Sequence, residues 1–438
     1  MALDPEEYKQ RRIKREQERQ ARQARLRKTR IRLVIAAAVL IATGVLIFVT
    51  AGKKPAADPG ETSPGLSEQT TQQPEEQTTA PGDTEPAPSE TSRVKADTVI
   101  RIAAAGDLNI NEAVVQSGGT SFDYKDVFLD VAHLLSDADI TVLNLEGVLT
   151  GTPYGSTGSA PPSLLEALRD VGVDMVQYAN SYSIHKGMAG LTSTLSAIRA
   201  AGLEPLGAYA SNEEFRASKG YTIREIQGVK VAFIAFTKGM NGMALPAGNE
   251  HCVNVLYTDY ATTYRDVDSE KILSILNAAK KESPDAIVTL LHWGSEFNDT
   301  ISSSQSEILE LLLENGVDVI LGTHSHYVQK MMFDPINGTF AIYSLGDFLS
   351  DTQRSGTEYS VILEVELTKS GETGRTTVTD FNYTPIFNVA EEGQPMRLLR
   401  IREAMTAYEE KYVGAVSEAV YSDMSYALGR INSRIEGD

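Results

Sequence analysis

Several acids, amides and imidazoles stand just past apolar runs that read as β-strands. Asp107 follows Val99–Ala105, Glu146 follows Ile140–Leu145 and Asn180 follows Met175–Tyr178. His292 follows Ala286–Leu291, and His324 with His326 follows Val317–Leu321. In an α/β sheet ligands gather at the carboxyl ends of the strands, where loops and helix N-termini converge. One histidine near a strand end is ordinarily a packed core residue. Two carboxylates, three imidazoles and an amide on one edge are hard to attribute to packing, and they point to a binding site there.

The elements that must position these groups follow from apolar patterning. Further strands are predicted at Tyr221–Ile226, Val231–Phe236, Phe340–Ser344 and Ser360–Leu367. Helical spacing is found over Val127–Leu135, Pro162–Val171, Gly190–Ala201, Ser269–Lys281, Gln305–Asn315 and a segment around Met396–Val413. Strands separated by helices imply right-handed crossovers and mostly parallel sheets. Runs that are apolar at nearly every position imply strands covered on both faces.

Taken in order, the segments AAAGDLN, LNLEG, YANSYSIHKGMAGLTSTL, AAGLEPLGA, LLHWGSE, LGTHSHYVQ and IYSLGDF resemble the CapA family of poly-γ-glutamate capsule synthesis, within the calcineurin-like metallophosphoesterase superfamily. The resemblance spans roughly residues 98 to 350. It implies an α/β fold, a layered αββα sandwich with a pocket for divalent metal at the sheet edge. By position it carries the metal-binding role to Asp107, Glu146, His292, His324 and His326. Two carboxylates and three imidazoles suit Zn, Mn or Fe, as one ion or as a pair bridged by a carboxylate. Such a pair clamps an anionic oxygen and lowers the pKa of a bound water.

One stretch departs from the family. Where the family reads Ala-Asn-Asn-His, this chain has Ala179-Asn180-Ser181-Tyr182, and His185 takes the place of a following Asp. A hydroxyl is a poorer ligand than an amide oxygen, and tyrosine titrates near pH 10 rather than near neutrality. Two readings stay open: an altered site holding metal, or a pseudo-enzyme that keeps its fold and a pocket. Tyr182 and His185 are the candidates for proton handling. Asn180, Ser181, Trp293, Glu296 and Asp347 are the candidates for contacting substrate. Asp347 stands where the family has Asn, and either charges the pocket or caps a turn. Trp293, the one tryptophan, either packs or offers a flat face. Asn109 is a weaker candidate ligand, while His133 and His251 read as structural.

Composition sets the surroundings. The net charge is −19, yet residues 1–32 hold twelve Lys/Arg against five Asp/Glu, leaving 28 basic and 54 acidic residues after Arg32, a net of −26. So acidic a body repels polyphosphate backbones, which argues against nucleic acid as a partner. Leu33 to Gly52 is an uncharged apolar run of 20 residues, enough to cross the hydrocarbon core as a helix. The basic flank places the N-terminus in the cytoplasm and the rest outside, in a cell membrane crossed once. A cleaved signal peptide is the competing reading, but its apolar core is ordinarily shorter. The expected organisation is a basic arm (1–32), a transmembrane helix (33–52), a disordered acidic linker (53–97) rich in Pro, Ser and Thr, the folded domain (98–390) and a C-terminal helical extension (391–438). The single cysteine, Cys252, rules out an intramolecular disulfide. The resemblance implies work in the synthesis, export or remodelling of an anionic surface polymer. That work is either metal-dependent hydrolysis or, alternatively, scaffolding in a synthase complex.

Overall fold

The structure is a computed structural model that describes residues 95–436 except 156–157, 353 and 392–394. The basic arm, the apolar run at 33–52 and nearly all of the linker lie outside the described residues. Among the described residues no helix is long and apolar enough to cross a membrane.

Fourteen strands fall into two sheets. β1 (Thr98–Asn109), β2 (Ile140–Glu146), β3 (Met175–Gln177) and β4 (Glu204–Leu206) run parallel through one half of the larger sheet. β5 (Thr222–Ile226), β6 (Val229–Thr237), β7 (Ala286–His292), β8 (Val319–Thr323), β9 (Met331–Asp334) and β10 (Thr339–Ile342) form the smaller sheet, in the order β5-β6-β7-β8-β10-β9. The chain then returns to the larger sheet. β11 (Asp347–Leu349) pairs with β1, and β12 (Tyr359–Lys369), β13 (Thr376–Val389) and β14 (Arg397–Arg400) complete the order β14-β13-β12-β1-β2-β3-β4. Parallel strands fill the centre of the smaller sheet and antiparallel ones its edges, and β12–β14 form an antiparallel meander. The sheets are therefore mixed rather than mostly parallel.

The apolar runs behave as two-faced strands. In β6, Val231, Phe233 and Ala235 enter the large core that also holds Ile100, Ile102 and Val142 of the larger sheet. The alternate residues Ala232, Ile234 and Phe236 enter a second core with Ile272, Ile275, Ile308 and Leu312. Alternation of side chains across a strand thus sorts one continuous apolar run between two layers. Helices α1 (Pro162–Asp170) and α2 (Gly187–Ala200) feed Leu164, Leu168, Leu191 and Leu195 into the large core. Helices α3 (Ser269–Lys280) and α4 (Ser303–Glu314) supply the second. Both have well-defined starts: Asp268 accepts the Lys271 N–H at 3.0 Å, and Ser302 with Gln305 forms a reciprocal capping box, satisfying donors that a first turn leaves open.

The C-terminal region differs from the helical extension the sequence predicts. Arg397–Arg400 is a strand of the larger sheet, and helix begins only with α5 (Ile401–Glu409). A further helix, α6 (Glu418–Glu436), buries Met424, Ala427, Ile431 and Ile435 in the large core. Those four residues recur at a spacing of three and four, one helical face.

At the heart of the larger sheet β1 meets β11 so closely that a Cβ on Gly106 would lie 1.7 Å from the Gly346 carbonyl oxygen. Neither backbone can retreat without breaking the sheet. Gly106→Ala is therefore expected to destabilise the protein by at least about 1–3 kcal/mol. Gly429→Ala, in α6 with open space around it, should be neutral or stabilise by about 0.5–1 kcal/mol. Urea unfolding of the two variants checks this contrast, and equal midpoints would contradict it.

Candidate metal centre

The close approach of β1 and β11 brings together two Gly-Asp dipeptides. Gly106-Asp107 and Gly346-Asp347 lie in parallel register, with Asp107 opposite Asp347, and the Asp107 N–H donates to the Gly346 carbonyl at 3.0 Å. Both carboxylates are buried. On β2, Asn144 and Glu146 are two residues apart and so share a face. The Asn144 amide donates to Asp107 Oδ1 at 2.5 Å and to Glu146 Oε1 at 3.2 Å, and stands 3.3 Å from His292 Nδ1. Its oxygen accepts from Asn180 Nδ2 at 3.0 Å. Asn180 also donates to the Leu145 carbonyl at 2.6 Å and accepts the Tyr182 N–H, which fixes the turn after β3.

The smaller sheet supplies the imidazoles. His292 ends β7, wholly buried, with Nε2 3.1 Å from Ser181 Oγ and Nδ1 3.3 Å from Thr323 Oγ1. His324 and His326 follow β8 with positive φ angles of 88° and 59°, a conformation that costs a non-glycine residue energy and needs outside support. Asp107 provides part of it, since its Oδ2 accepts the His324 N–H at 2.9 Å. His326 Nδ1 lies 2.7 Å from Asp347 Oδ1, and its ring stacks on Phe297 at 4.7 Å, with Arg354 over the same phenyl ring.

Two groups of three donors result. Glu146, His292 and His324 each place a ligand atom within 4.8 Å of the others, and so do Asp107, His326 and Asp347. Both ring nitrogens of His324 are buried without a hydrogen-bond partner. A buried polar atom without a partner is costly, and a cation is the partner an imidazole nitrogen beside a glutamate and a second imidazole would best accept. The donor set fits a borderline divalent ion such as Zn, Mn or Fe.

Electrostatics agree with that fit. Burial pushes the Asp107 carboxyl up to about 6, with His326 pulling the other way and Asp347 adding to the rise. Burial, then the Asp107 charge, holds Glu146 well above the usual carboxylate range. Burial lowers His292 and His324 well below the ordinary imidazole value, keeping both neutral and able to ligate. His326 differs: burial, the largest single influence, would lower it, but Asp347, Glu146 and Asp107 together outweigh burial and carry it up to about 10. Asp347 is itself raised by burial, against the pull of His326. Three buried carboxyls shifted toward their protonated forms share this space, and a cation would stabilise their charged forms.

The five expected ligands come together, but the substrate candidates divide. Asp347 falls within a donor triad rather than capping a turn or standing apart to meet substrate. Ser181 touches His292, and Asn180 braces the loop. Tyr182 is half-buried, and its hydroxyl is raised by burial and then by Glu146 and Glu296. His185 has an exposed side chain, its ring centre 5.5 Å from that of Tyr182, and belongs to neither triad. Trp293 cannot offer a flat face: it is 0% exposed, stacked on Tyr343 in the second core, with Nε1 donating to the Tyr343 carbonyl. Alternation explains this, since Trp293 follows His292 and turns to the opposite face. Glu296 is exposed and lines a cleft of about 260 Å³ with Lys238, Tyr264 and His324. Sequence reasoning missed Asn144, although N-x-E at the end of a strand puts both side chains on one face. It also missed Lys238, the residue just past β6, which carries no motif.

Metal loading requires His326, protonated at neutral pH, to give up a proton, and Glu146 as well. Addition of Zn to metal-free protein at pH 7.5 is expected to release at least about one proton. The release from His326 should fade as pH rises through about 10, where this group is already deprotonated. Calorimetry in buffers of different ionisation enthalpy measures it, and binding without release would contradict the assignment of His326.

Comparison with known proteins gives this site a context. Residues 101–352 match the family described as "Bacterial capsule synthesis protein PGA_cap". The chain is 26% identical over 310 residues to the PGA biosynthesis protein CapA of Bacillus subtilis, covering 68% of this chain and 74% of that protein. It is also 26% identical to the capsule biosynthesis protein CapA of Bacillus anthracis, a match spanning 49% of each chain. Among solved structures, the calcineurin-like phosphoesterase YfkN of Bacillus subtilis aligns with a TM-score of 0.42 and 16% identity, over 76% of this chain and 99% of that one. With more than half of its length matched, the chain belongs to the PGA_cap family of bacterial capsule synthesis proteins.

Proposed function

We propose that this protein acts outside the cytoplasmic membrane in the synthesis, export or remodelling of an anionic, glutamate-type surface polymer, as a metal-dependent hydrolase of an amide or phosphoester. The observation that carries the catalytic part is His324, a buried imidazole with both nitrogens unpartnered amid five further donors. Family membership and the names of the relatives supply the polymer. The run at 33–52 serves as the membrane anchor, with 1–32 in the cytoplasm and 53–97 as a tether. Residues 98–390 and the C-terminal segment 391–438 form the external body. The partners are then the membrane, the polymer or its synthase complex, and not nucleic acid.

In this reading Glu146, His292 and His324 hold one divalent ion, and Asp107, His326 and Asp347 a second. When bound, such ions would supply Lewis acidity toward a substrate oxygen and a water activated near neutral pH. The chain's own residues do the rest. Asn144 fixes the spacing of Asp107, Glu146 and His292 through its amide. Before an ion binds, Asp347 holds the His326 ring through Nδ1 at 2.7 Å. The Tyr182 hydroxyl, raised by burial and then by Glu146 and Glu296, would serve as a hydrogen-bond donor to substrate.

A second reading, a scaffold with a degenerate site, is favoured by one observation. Ser181 occupies the Nε2 side of His292, where the family has an amide. Purified full-length protein decides between them. His324→Ala with His326→Ala should abolish divalent-metal binding with little change in Tm. Wild type should hydrolyse a generic phosphodiester or γ-glutamyl amide slowly. Ser181→Asn with Tyr182→His should raise that rate by at least about tenfold, since general acid–base help is worth about 10²–10⁴-fold. A wild type that binds no metal after reconstitution would remove the hydrolase reading. A brisk wild type slowed by the double change would remove the degenerate one.

Topology has its own check. Protease added to intact cells should digest the chain beyond Lys54 and spare residues 1–32. A soluble protein starting near Pro55 would replace the anchor by a cleaved signal.

A further inference from the structure

Resting on the polymer reading above, we propose that the cleft beside His324 is a subsite for a free α-amino-acid head group, Lys238 taking the carboxylate and Glu296 the ammonium. The cleft connects with the metal centre directly, since Ser181 and His324 are part of its wall. Lys238 is the first residue beyond β6, and its N–H donates to the His292 carbonyl at 2.7 Å. Its Nζ donates to the Gly294 carbonyl at 2.7 Å and lies 4.7 Å from the centre of the Tyr264 ring. The ammonium is thus held in place by one carbonyl and one aromatic face, with N–H groups left for a ligand. Glu296, two residues beyond Gly294, lines the same cleft and acts electrostatically on Lys238, Glu146 and Tyr182. No ion pair joins Lys238 to Glu296 among the described residues. Two groups of opposite charge line one cleft without a direct ion pair between them.

The charge balance selects the ligand. Within the cleft a phosphate dianion would meet one cation and one repelling carboxylate. A zwitterion satisfies both walls at once. The body beyond Arg32 carries a net charge of −26, so a polyanion laid along its surface would be repelled, whereas its zwitterionic end would not. Polymer chemistry sharpens the choice. In a glutamate chain linked through side-chain carboxyls, the amino-terminal residue keeps ammonium and carboxylate on one carbon. In an α-linked chain that carboxylate is consumed by the first peptide bond. The cleft therefore reads linkage as well as charge.

Calorimetric titration of the metal-loaded full-length protein in detergent tests this with three probes: γ-glutamylglutamate, α-glutamylglutamate and N-acetyl-γ-glutamylglutamate. The γ-linked dipeptide should bind at least about tenfold more tightly than each of the others, as expected for one charge-assisted hydrogen bond gained or lost. Lys238→Gln keeps a donor for the Gly294 carbonyl and should erase the preference for γ over α linkage. Glu296→Gln should erase the preference for the free over the acetylated amine. Unchanged metal content and Tm in both variants would show that they fold. Equal affinity for the γ- and α-linked dipeptides, or no binding of either, would overturn the proposal. γ-Dipeptide binding by a wild type that hydrolyses nothing would leave the subsite standing and sink the hydrolase reading alone.

Discussion

Among the contacts that join the two sheets at the site, the buried carboxylate of Asp107 is the one the imidazole loop rests on. Asp107, on the larger sheet, accepts from the Asn144 amide beside it and from the His324 N–H contributed by the loop after β8, 217 residues further along the chain. That second bond steadies a histidine at a positive φ of 88° and so sets where its ring lies. Gly106 makes the arrangement feasible by letting β11 approach within contact of β1, which places Asp347 opposite Asp107. Remove the carboxylate, and the imidazole loop loses its anchor together with one donor triad.

The same concentration of groups is costly by itself. Asp107, Glu146 and Asp347 are all buried and all shifted toward the protonated form, and His326 alone among the three imidazoles is drawn toward the charged form. Hydrogen bonds from Asn144 and the backbone offset part of that cost, yet His324 keeps two orphaned nitrogens. Native interiors rarely leave such atoms without a partner. A site of this composition is better understood as built around cations than as a self-sufficient polar network.

Much of this was legible in the chain. Strand-end placement located Asp107, Glu146, His292, His324 and His326, because apolar runs buried on both faces announce themselves and the residue that follows each lies at the sheet edge. The repeated Gly-Asp of GDLN and GDF is a further signal, although only the three-dimensional register reveals that the two lie side by side. Asn144 was hidden inside an apolar strand, where an amide reads as an exception rather than a hub. Of the two roles open to Trp293 the structure shows packing, because adjacency to His292 in sequence means opposite faces at a strand end. β13 escaped notice for a different reason: TTVTDFNYTPIFNV is polar and half-exposed over much of its length and contains Pro385, so its pairing with β12 depends on a partner no local pattern reveals. Lys238 is visible only once β6 and β7 are neighbours.

The central claim is that six residues from both sheets form two adjoining metal positions. The direct measurement is a crystal structure of the protein grown with Zn or Mn, with anomalous scattering recorded at the metal edge. The account predicts two peaks, one among Glu146, His292 and His324 and one among Asp107, His326 and Asp347, about 3.5–4 Å apart as in other two-metal sites. A metal-saturated crystal with no peak at either triad, and Asn144 still bonded to Asp107 and Glu146, would contradict it.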